Sequence, residues 1–311
     1  MLRAAPACDT GAMSTIPSFG TPQAVWAAGT TLGEGCCWSQ REQALWWVDI
    51  LEHRLFRWRP ADGERRTWTL PDTVSAVAER SSAPGLALTL RRGLAFFDPE
   101  TSALRRGTEP EPERTGNRFN DGKCDSRGRF WGGTMDYACD APTGALYRFD
   151  TDGRATRVFD AGFAVTNGPA WSLDGRTMFF NDTVQGRVLA MPFDADSGSV
   201  GPPREFLRFG PGDGLPDGMN IDADGRLWIA HWGAGCVTAH DAGSGAELAR
   251  VTLPAAHITN IAFGGPELRT MFITSARFGL DATQLAGQPL AGALFALDSP
   301  VAGLPARLFG G

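Results

Sequence analysis

Short apolar stretches separated by turn residues recur along the whole chain. Residues 45–48 (Leu-Trp-Trp-Val) and 178–180 (Met-Phe-Phe) are apolar without alternation, as strands that lie between two packed sheets are. Asp-Gly pairs at 152–153, 174–175 and 224–225 supply the positive φ that a tight hairpin turn needs. No segment sustains a helical period, so the pattern predicts an all-β protein with little helix.

A repeated unit organises these stretches. Its clearest copy is residues 215–230, where a strand, an Asp-Gly turn and a second, more apolar strand follow an acidic residue. One oxygen-bearing residue stands before the first strand of each copy, and the six are separated by 41, 45, 47, 50 and 43 residues: Glu34, Ser75, Asn120, Asn167, Asp217 and Asn260. A period of about 40 to 50 residues is typical of propeller blades.

The repeat predicts a six-bladed β-propeller of four-stranded antiparallel blades. We expect residues 21–311 to form this propeller as a single domain, preceded by a flexible N-terminal tail over residues 1–20. A ring of sheets must close, because otherwise its first and last sheets leave exposed edges. Residues 23–28 have the pattern of a strand and are predicted to complete the sheet of the last blade, and residues 306–309 are predicted to form another strand.

Composition narrows the function and the location. A formal charge of -6 and a pI of about 5.3 argue against a nucleic-acid partner, since nothing neutralises phosphates in bulk. No apolar run approaches the ~20 residues that cross a bilayer, which argues against a membrane protein, and the N-terminus lacks the apolar region of a secretory signal. The six cysteines lack the paired spacing of a zinc site. We expect reduced thiols and a cytoplasmic protein.

The six in-phase residues carry the candidate chemistry. The first strand of each propeller blade lines the central channel, so these side chains should converge at one mouth of it. Each asparagine or aspartate before a glycine is by itself an ordinary turn signal. Two converging carboxylates, however, would repel each other unless a cation sits among them, and together with the amide oxygens they form an all-oxygen set of ligands. Such a set suits Ca²⁺, Mg²⁺ or Mn²⁺, and Zn²⁺ or Fe²⁺ stays open.

Five motifs carry a resemblance to a known family. In chain order they are Gly-Glu-Gly-Cys-Cys-Trp from 33, Asn-Arg-Phe-Asn-Asp-Gly-Lys-Cys-Asp from 117, Thr-Asn-Gly-Pro-Ala-Trp-Ser from 166, Pro-Asp-Gly-Met from 216 and Thr-Asn-Ile-Ala-Phe-Gly-Gly from 259. The chain resembles the gluconolactonase family that also contains regucalcin (senescence marker protein), a family of six-bladed propellers. The likeness runs from Gly33 across nearly the whole chain.

The resemblance implies one divalent metal ion held by Glu34, Asn167 and Asp217. It also implies that Arg118 and Asn120 contact substrate oxygens and that Asp217 is the catalytic base, with a metal-acidified water as the alternative source of the nucleophile.

The chain departs from the family pattern in two places. Cys36 stands where the family usually has proline. In some members of the family a glutamate in the loop after Met135 contacts the substrate. This chain has Asp136 there but no glutamate, so the identity of the substrate stays open.

The leading functional prediction is a metal-dependent lactonase that hydrolyses an aldonolactone of the gluconolactone, xylonolactone or arabinonolactone type. A hydrolase of another ester-like bond, such as an organophosphate, is one alternative, and a non-catalytic propeller that binds calcium or a protein is another. The sequence leaves the oligomeric state open. Of the four histidines, His53 and His240 are predicted at the surface. His257 is close enough in sequence to Asn260 to reach the channel mouth, and a structural role is predicted for both His257 and His231.

Overall fold

The computed structural model of the protein describes residues 18–311. Most of the predicted tail, residues 1–17, lies outside the described residues. Within them Phe19 packs edge-on against Trp228 at 5.3 Å between ring centroids, and the amide of Gly20 donates to the carbonyl of Asp298. Packed structure therefore begins at least two residues before the predicted boundary at residue 21.

Strands account for almost all regular structure in the described residues. Those of the first half are β1 Gln23–Trp26, β2 Gly33–Ser39, β3 Ala44–Asp49, β4 Arg54–Arg59, β5 Glu64–Thr69, β6 Val74–Glu79, β7 Leu86–Leu90, β8 Leu94–Phe97, β9 Leu104–Arg106, β10 Asn117–Cys124, β11 Phe130–Asp136, β12 Gly144–Phe149 and β13 Ala155–Phe163. Those of the second half are β14 Thr166–Trp171, β15 Thr177–Asp182, β16 Arg187–Asp194, β17 Ser199–Val200, β18 Arg204–Arg208, β19 Leu215–Ile221, β20 Arg226–Trp232, β21 Cys236–Asp241, β22 Glu247–Thr252, β23 His257–Gly264, β24 Thr270–Ala276 and β25 Leu294–Asp298. One short helix, α1 Ala282–Gly287, is capped by Asp281, and the prediction of little helix is confirmed.

Neighbouring strands pair antiparallel into four-stranded meanders. Three of them are separate sheets: β2-β3-β4-β5, β6-β7-β8-β9 and β10-β11-β12-β13. The next sheet is β14-β15-β16-β18, with the short β17 also paired to β16. The meanders β19-β20-β21-β22 and β23-β24-β25-β1 are joined into one sheet by the single pair Trp232 and His257.

The first strands of the meanders contact one another in a closed cycle. β2 touches β6, β6 touches β10, β10 touches β14, β14 touches β19, β19 touches β23, and β23 returns to β2. The meanders radiate from this inner ring in a propeller-like arrangement, which places an all-β fold around a central axis. Among the described residues no helix has the length and apolarity needed to cross a membrane.

The predicted closure of the ring is confirmed, whereas the predicted C-terminal strand is wrong. β1 pairs antiparallel with β25, so the N-terminal strand completes the last meander. At the C-terminus only Phe309 bonds to a strand edge, through a parallel bridge to Arg80 and backbone bonds to Glu79 and Ser81. Phe309 itself is fully buried. The apolar pattern of residues 306–309 therefore comes from one buried side chain and not from an alternating strand.

Side chains on opposite faces of one strand fill the spaces between neighbouring sheets. In β3, Trp46 belongs to the cluster that contains Leu88 of the next sheet, whereas Trp47 belongs to the cluster that contains Phe272 of the preceding one. Both tryptophans are fully buried. This two-sided burial explains why the strand carries an uninterrupted apolar run.

We expect Trp26→Ala to weaken the closure of the ring. The Trp26 ring lies 5.6 Å from the Trp47 ring and 5.3 Å from the Phe56 ring, and so ties β1 to the first meander. The half-buried position predicts a loss of about 2–3 kcal/mol in the free energy of unfolding, measured by denaturant titration. Val184→Ala, at an exposed side chain, is the control and should change it by less than about 0.5 kcal/mol. Equal stability of the two variants would contradict this role for β1.

Candidate active site

The six in-phase residues lie inside the inner strands, and not before them as predicted. Each stands in or beside a register shift of its strand: Glu34 in β2, Ser75 in β6, Asn120 in β10, Asn167 in β14, Asp217 in β19 and Asn260 in β23. A bulge of this kind bends the strand and re-aims a side chain. Strand pairing therefore continues on both sides of the bulge, which is why the strands extend past the marked residues.

Two glycines permit the close approach of the inner strands. Gly35 has a φ of +57°, and a Cβ added there would lie 2.8 Å from the carbonyl oxygen of Ser75. A Cβ on Gly218 would lie 2.5 Å from the side-chain carbon Cγ of Asn260. Any larger residue at these positions would push the strand of Glu34 away from that of Ser75, or the strand of Asp217 away from that of Asn260.

The carboxyl groups of Glu34 and Asp217 are in direct contact. The two side chains are within hydrogen-bonding reach of each other, and Glu34 Oε2 also accepts from Asn260 Nδ2 at 2.9 Å. Burial raises the pKa of Glu34 to about 7, and the nearby carboxylate of Asp121 adds to the rise. Burial also raises the pKa of Asp217 well above its usual range, with further repulsion from Glu34.

Asn167 is connected to Asp217 through a short hydrogen-bond chain. Its Nδ2 donates to Thr183 Oγ1 at 3.0 Å, and that hydroxyl donates to the carbonyl of Pro216 at 2.9 Å. Its Oδ1 accepts from Asn120 Nδ2 at 3.0 Å, which leaves one lone pair of this oxygen for another partner. The structure thus places Glu34, Asn167 and Asp217 in one buried cluster.

Arg118 and Asn120 lie together beside this cluster. Arg118 Nη1 donates to Asn120 Oδ1 at 2.6 Å and to the carbonyl of Phe119, and the guanidinium lies 5.7 Å from the ring centre of Tyr137. Arg118 Nε is buried and has no hydrogen-bond partner among residues 18–311. A buried donor without a partner is the type of group that a ligand oxygen satisfies.

The amide of Asn120 is already engaged by the protein. Its Nδ2 donates to the carbonyl of Thr166 at 2.7 Å as well as to Asn167 Oδ1, so both amide hydrogens are used. Its oxygen accepts from Arg118. In this arrangement Asn120 orients Asn167 and Arg118, and its second oxygen lone pair is the part left for a substrate hydroxyl.

Sequence reasoning missed two residues of the site. Asp121 is buried directly after Asn120 in β10, and Asn181 of β15 pairs with Asn167 and donates to the carbonyl of Asp217. Asn181 Oδ1 is buried without a partner in the described part of the chain. The Asp-Gly pair at 121–122 resembles an ordinary turn signal, so Asp121 was not predicted as a site residue. Asn181 lies on the second strand of its meander, away from the repeated position, and was missed for that reason.

Other candidate residues turn away from the site. Ser75 hydrogen-bonds to Thr89 inside its own sheet. Asp136 caps its own loop by accepting from the amides of Asp140 and Ala141, and these bonds lower its pKa. The carboxylate of Asp136 is therefore bonded to the backbone of its own loop. The residue of this loop that contacts Arg118 is Tyr137.

The histidines fit the predictions only in part. His240 was predicted at the surface but is buried in β21, where it hydrogen-bonds to Thr238. His231 is fully buried and bonds to the same hydroxyl, and burial lowers its pKa to about 4. His257 stacks on Trp232 at 3.9 Å between ring centroids. The alternating pattern of β21 did not reveal that both of its faces are covered.

A cavity of about 300 Å³ adjoins the cluster on one side. It is lined by residues that follow the marked positions along the inner strands, including Lys123, Asn220 and Ala262, and it reaches Asp121 and Asn260. Glu34, Asn167 and Asp217 do not line it. The cavity therefore lies on the other side of the marked residues along the channel. The candidate site itself is the cluster of buried polar side chains around Glu34, Asn167 and Asp217.

The donor set fits a hard divalent cation. Two buried carboxyl groups whose pKa values are raised would each be ionised more readily beside a positive charge. Among residues 18–311 no three histidine, cysteine or carboxylate side chains are grouped to hold a metal by themselves, so an ion here would also need the amide oxygen of Asn167. Carboxylate and amide oxygens are the ligands that Ca²⁺, Mg²⁺ and Mn²⁺ prefer.

Comparisons with known proteins agree on one family. The sequence matches the family described as SMP-30/Gluconolactonase/LRE-like region over residues 32–277. A 6-deoxy-6-sulfogluconolactonase of Pseudomonas putida is 38% identical over 284 residues, which cover 91% of this chain and 96% of the relative. An L-arabinolactonase of Azospirillum brasilense is 35% identical over 283 residues, which cover 90% and 93%.

A solved structure extends the agreement to three dimensions. A regucalcin of Agrobacterium tumefaciens, described as a calcium-binding protein, has a TM-score of 0.89 and 32% identity, covering 93% of this chain and 97% of that one. The inner-ring motifs quoted above lie within the matched region, since they run from Gly33 to Gly265. The chain therefore belongs to the SMP-30/gluconolactonase family.

Proposed function

We propose that the protein is a metal-dependent lactonase that hydrolyses a sugar lactone of the aldonolactone type to the aldonic acid. The observation that carries the proposal is the buried contact between the carboxyl groups of Glu34 and Asp217 beside the amide of Asn167. Relatives named 6-deoxy-6-sulfogluconolactonase and L-arabinolactonase support the substrate class.

The scaffold in this proposal is a six-bladed propeller formed by the four-stranded meanders. The closed cycle of contacts between β2, β6, β10, β14, β19 and β23 supports this count. The pairing of β1 with β25 supports closure through the N-terminal strand. The five cysteines of the described residues are unpaired, which supports action in the reducing cytoplasm.

Glu34, Asn167 and Asp217 would hold one divalent ion, whose identity among Ca²⁺, Mg²⁺, Mn²⁺, Zn²⁺ and Fe²⁺ stays open. When bound, the ion supplies Lewis-acid polarisation of a carbonyl and acidification of water. The regucalcin neighbour described as a calcium-binding protein supports a divalent ion in this fold.

The chain's own residues account for the remaining steps. The buried Arg118 Nε donates to the lactone oxygen on which negative charge develops. Asp217 accepts a proton from the water that attacks the carbonyl carbon, and the proton passes to the ring oxygen as the carbon–oxygen bond of the ring breaks. The second lone pair of the Asn120 side-chain oxygen accepts a hydrogen bond from a substrate hydroxyl. The product is a hydroxy acid, whose carboxyl group then ionises.

We expect Glu34→Gln and Asp217→Asn each to lower metal-dependent turnover by more than about 100-fold, since even residues that only orient metal ligands cost 10–100-fold. The measurement is a pH-indicator assay on a panel of aldonolactones with and without chelator, corrected for spontaneous ring opening.

Ser75→Ala is the matched control for this assay. It changes a marked position whose hydroxyl faces Thr89, and turnover should stay within about twofold. Turnover that survives chelator, or near-normal rates in either carboxylate variant, would refute the assignment. Calcium binding without turnover of any lactone would favour the non-catalytic propeller.

We expect metal-free protein to lose thermal stability as the pH rises from 5 to 8. The pKa of Glu34 is raised to about 7 in the folded state, so its stabilising protonated form is fully present below the unfolded value of about 4.5 and is lost as the pH passes 7. Metal ions favour the ionised form, so the rise in Tm on adding metal should grow with pH. Thermal shift measurements with chelator and with metal test this.

The Glu34→Gln variant is the control for the thermal measurement. Without an ionisable group at this position, the fall in Tm of the metal-free protein between pH 5 and 8 should become shallower. An identical pH dependence in the variant and the wild type would show that Glu34 is not the group responsible.

A further inference from the structure

Asp121 sits at the centre of the inner ring although the repeat does not mark it. It lies beside the bulge of β10 and is 1% exposed. Its Oδ1 accepts from the amide of Gly122 at 2.7 Å, and its Oδ2 accepts from the amide of Gly168 at 2.8 Å. Asn260 Nδ2 also approaches Oδ1, at 3.5 Å. One buried carboxylate thus receives donors from three separate inner strands.

These donors connect Asp121 to two of the proposed metal ligands. Gly168 follows Asn167 directly, so its bond to Asp121 fixes the peptide plane that begins at Asn167. The Nδ2 of Asn260 that faces Asp121 also donates to Glu34 Oε2 at 2.9 Å. A shift of the backbone at Asn167 would therefore cost the buried bond from Gly168 to Asp121, and rotation of the Glu34 side chain would cost its bond from Asn260.

Lys123 completes the arrangement on the same strand. Among the 29 lysine and arginine residues it is the only lysine, and its side chain points to the axis, where Nζ donates to the carbonyl of Met219. Met219 follows Asp217 by two residues in β19. A slender stem with a compact ammonium group fits a crowded channel better than a planar guanidinium. Asp121 thus contacts the strand of Asn167 and the hydrogen-bond partner of Glu34, and Lys123 contacts the strand of Asp217.

We infer that Asp121, supported by Lys123, is a positioning residue that holds Asn167 and Glu34 in the geometry needed to bind the metal ion. The inference rests on the proposed function, because it assumes that these side chains bind a divalent ion. Asp121 acts through Gly168 and Asn260 and does not itself contact the ion. Outer partners of this kind typically change metal affinity by 10–100-fold when they are removed.

The charges around the axis are consistent with this assignment. Three buried carboxyl groups, those of Glu34, Asp121 and Asp217, face the two cationic side chains of Arg118 and Lys123. Fully ionised, the group carries a net negative charge, and a divalent ion makes it positive. A cluster that is positive only with the ion bound favours the negative charge that develops on a lactone oxygen.

The test measures metal affinity and not turnover. Full-length protein stripped with chelator is titrated calorimetrically with Mn²⁺ and with Ca²⁺. We expect Asp121→Asn to bind one ion per chain with a Kd 10–100-fold higher than the wild type. Asn260→Leu cuts the connection between Asp121 and Glu34 without changing charge, so it should also raise the Kd, by about 10-fold.

A matched control separates positioning from general destabilisation. Asp125 lies just past the end of β10, is equally buried, and accepts from Arg129 and Trp131 away from the site. Asp125→Asn should lower the Tm and leave the Kd unchanged. The Asp121→Asn and Asn260→Leu effects should also be less than additive in the double variant, since both act on one chain of contacts.

Three results would overturn the inference. Wild-type Kd in both Asp121→Asn and Asn260→Leu would exclude positioning. Complete loss of binding in Asp121→Asn, equal to that in Glu34→Gln, would make Asp121 a ligand itself. If the wild type binds neither ion, the proposed metal site fails and the role of Asp121 fails with it. If Asp121→Asn does not fold, Asp121→Glu takes its place, alone and combined with Asn260→Leu, and a wild-type Kd in Asp121→Glu together with fully additive effects would exclude positioning.

Discussion

The structure depends on bringing carboxyl groups with like charge to one buried axis. Glu34 and Asp217 touch across strands that are 183 residues apart in sequence, and Asp121 adds a third carboxylate nearby. Burial without compensation makes ionisation of such groups expensive, which is why burial raises the pKa of all three. A cation at the axis would remove that cost, which is the physical ground for the divalent ion proposed above.

The propeller-like arrangement makes this convergence possible by local means. Each inner strand keeps its pairing above and below the axis position but shifts register there. Gly35 and Gly218 let the backbones meet where a Cβ would collide. The asparagine amides then connect neighbouring strands, as Asn120 does for Asn167 and Asn260 does for Glu34. The sheets outside the ring supply the apolar burial that stabilises this polar centre.

Much of this organisation was accessible from the sequence because it is periodic. The spacing of the oxygen-bearing residues predicted which strands line the axis, and Glu34, Asn167 and Asp217 do come together there. Closure by β1 followed from the need to cover a sheet edge.

The sequence concealed the features that break the period. Asp121 stands one residue out of phase, and only the bulge in β10 turns it inward beside Asn120. Phe309 is a single buried residue whose apolar flanks resemble a strand. His240 is buried, with its ring bonded to the carbonyl of Gly245 in the turn that follows β21 and packed against Phe209.

The most direct test of the central claim is anomalous diffraction from a crystal soaked in Mn²⁺. The account predicts one strong peak on the ring axis, within bonding distance of side-chain oxygens of Glu34, Asn167 and Asp217. A crystal that shows no peak at the axis, or a peak bound by other residues, would contradict it.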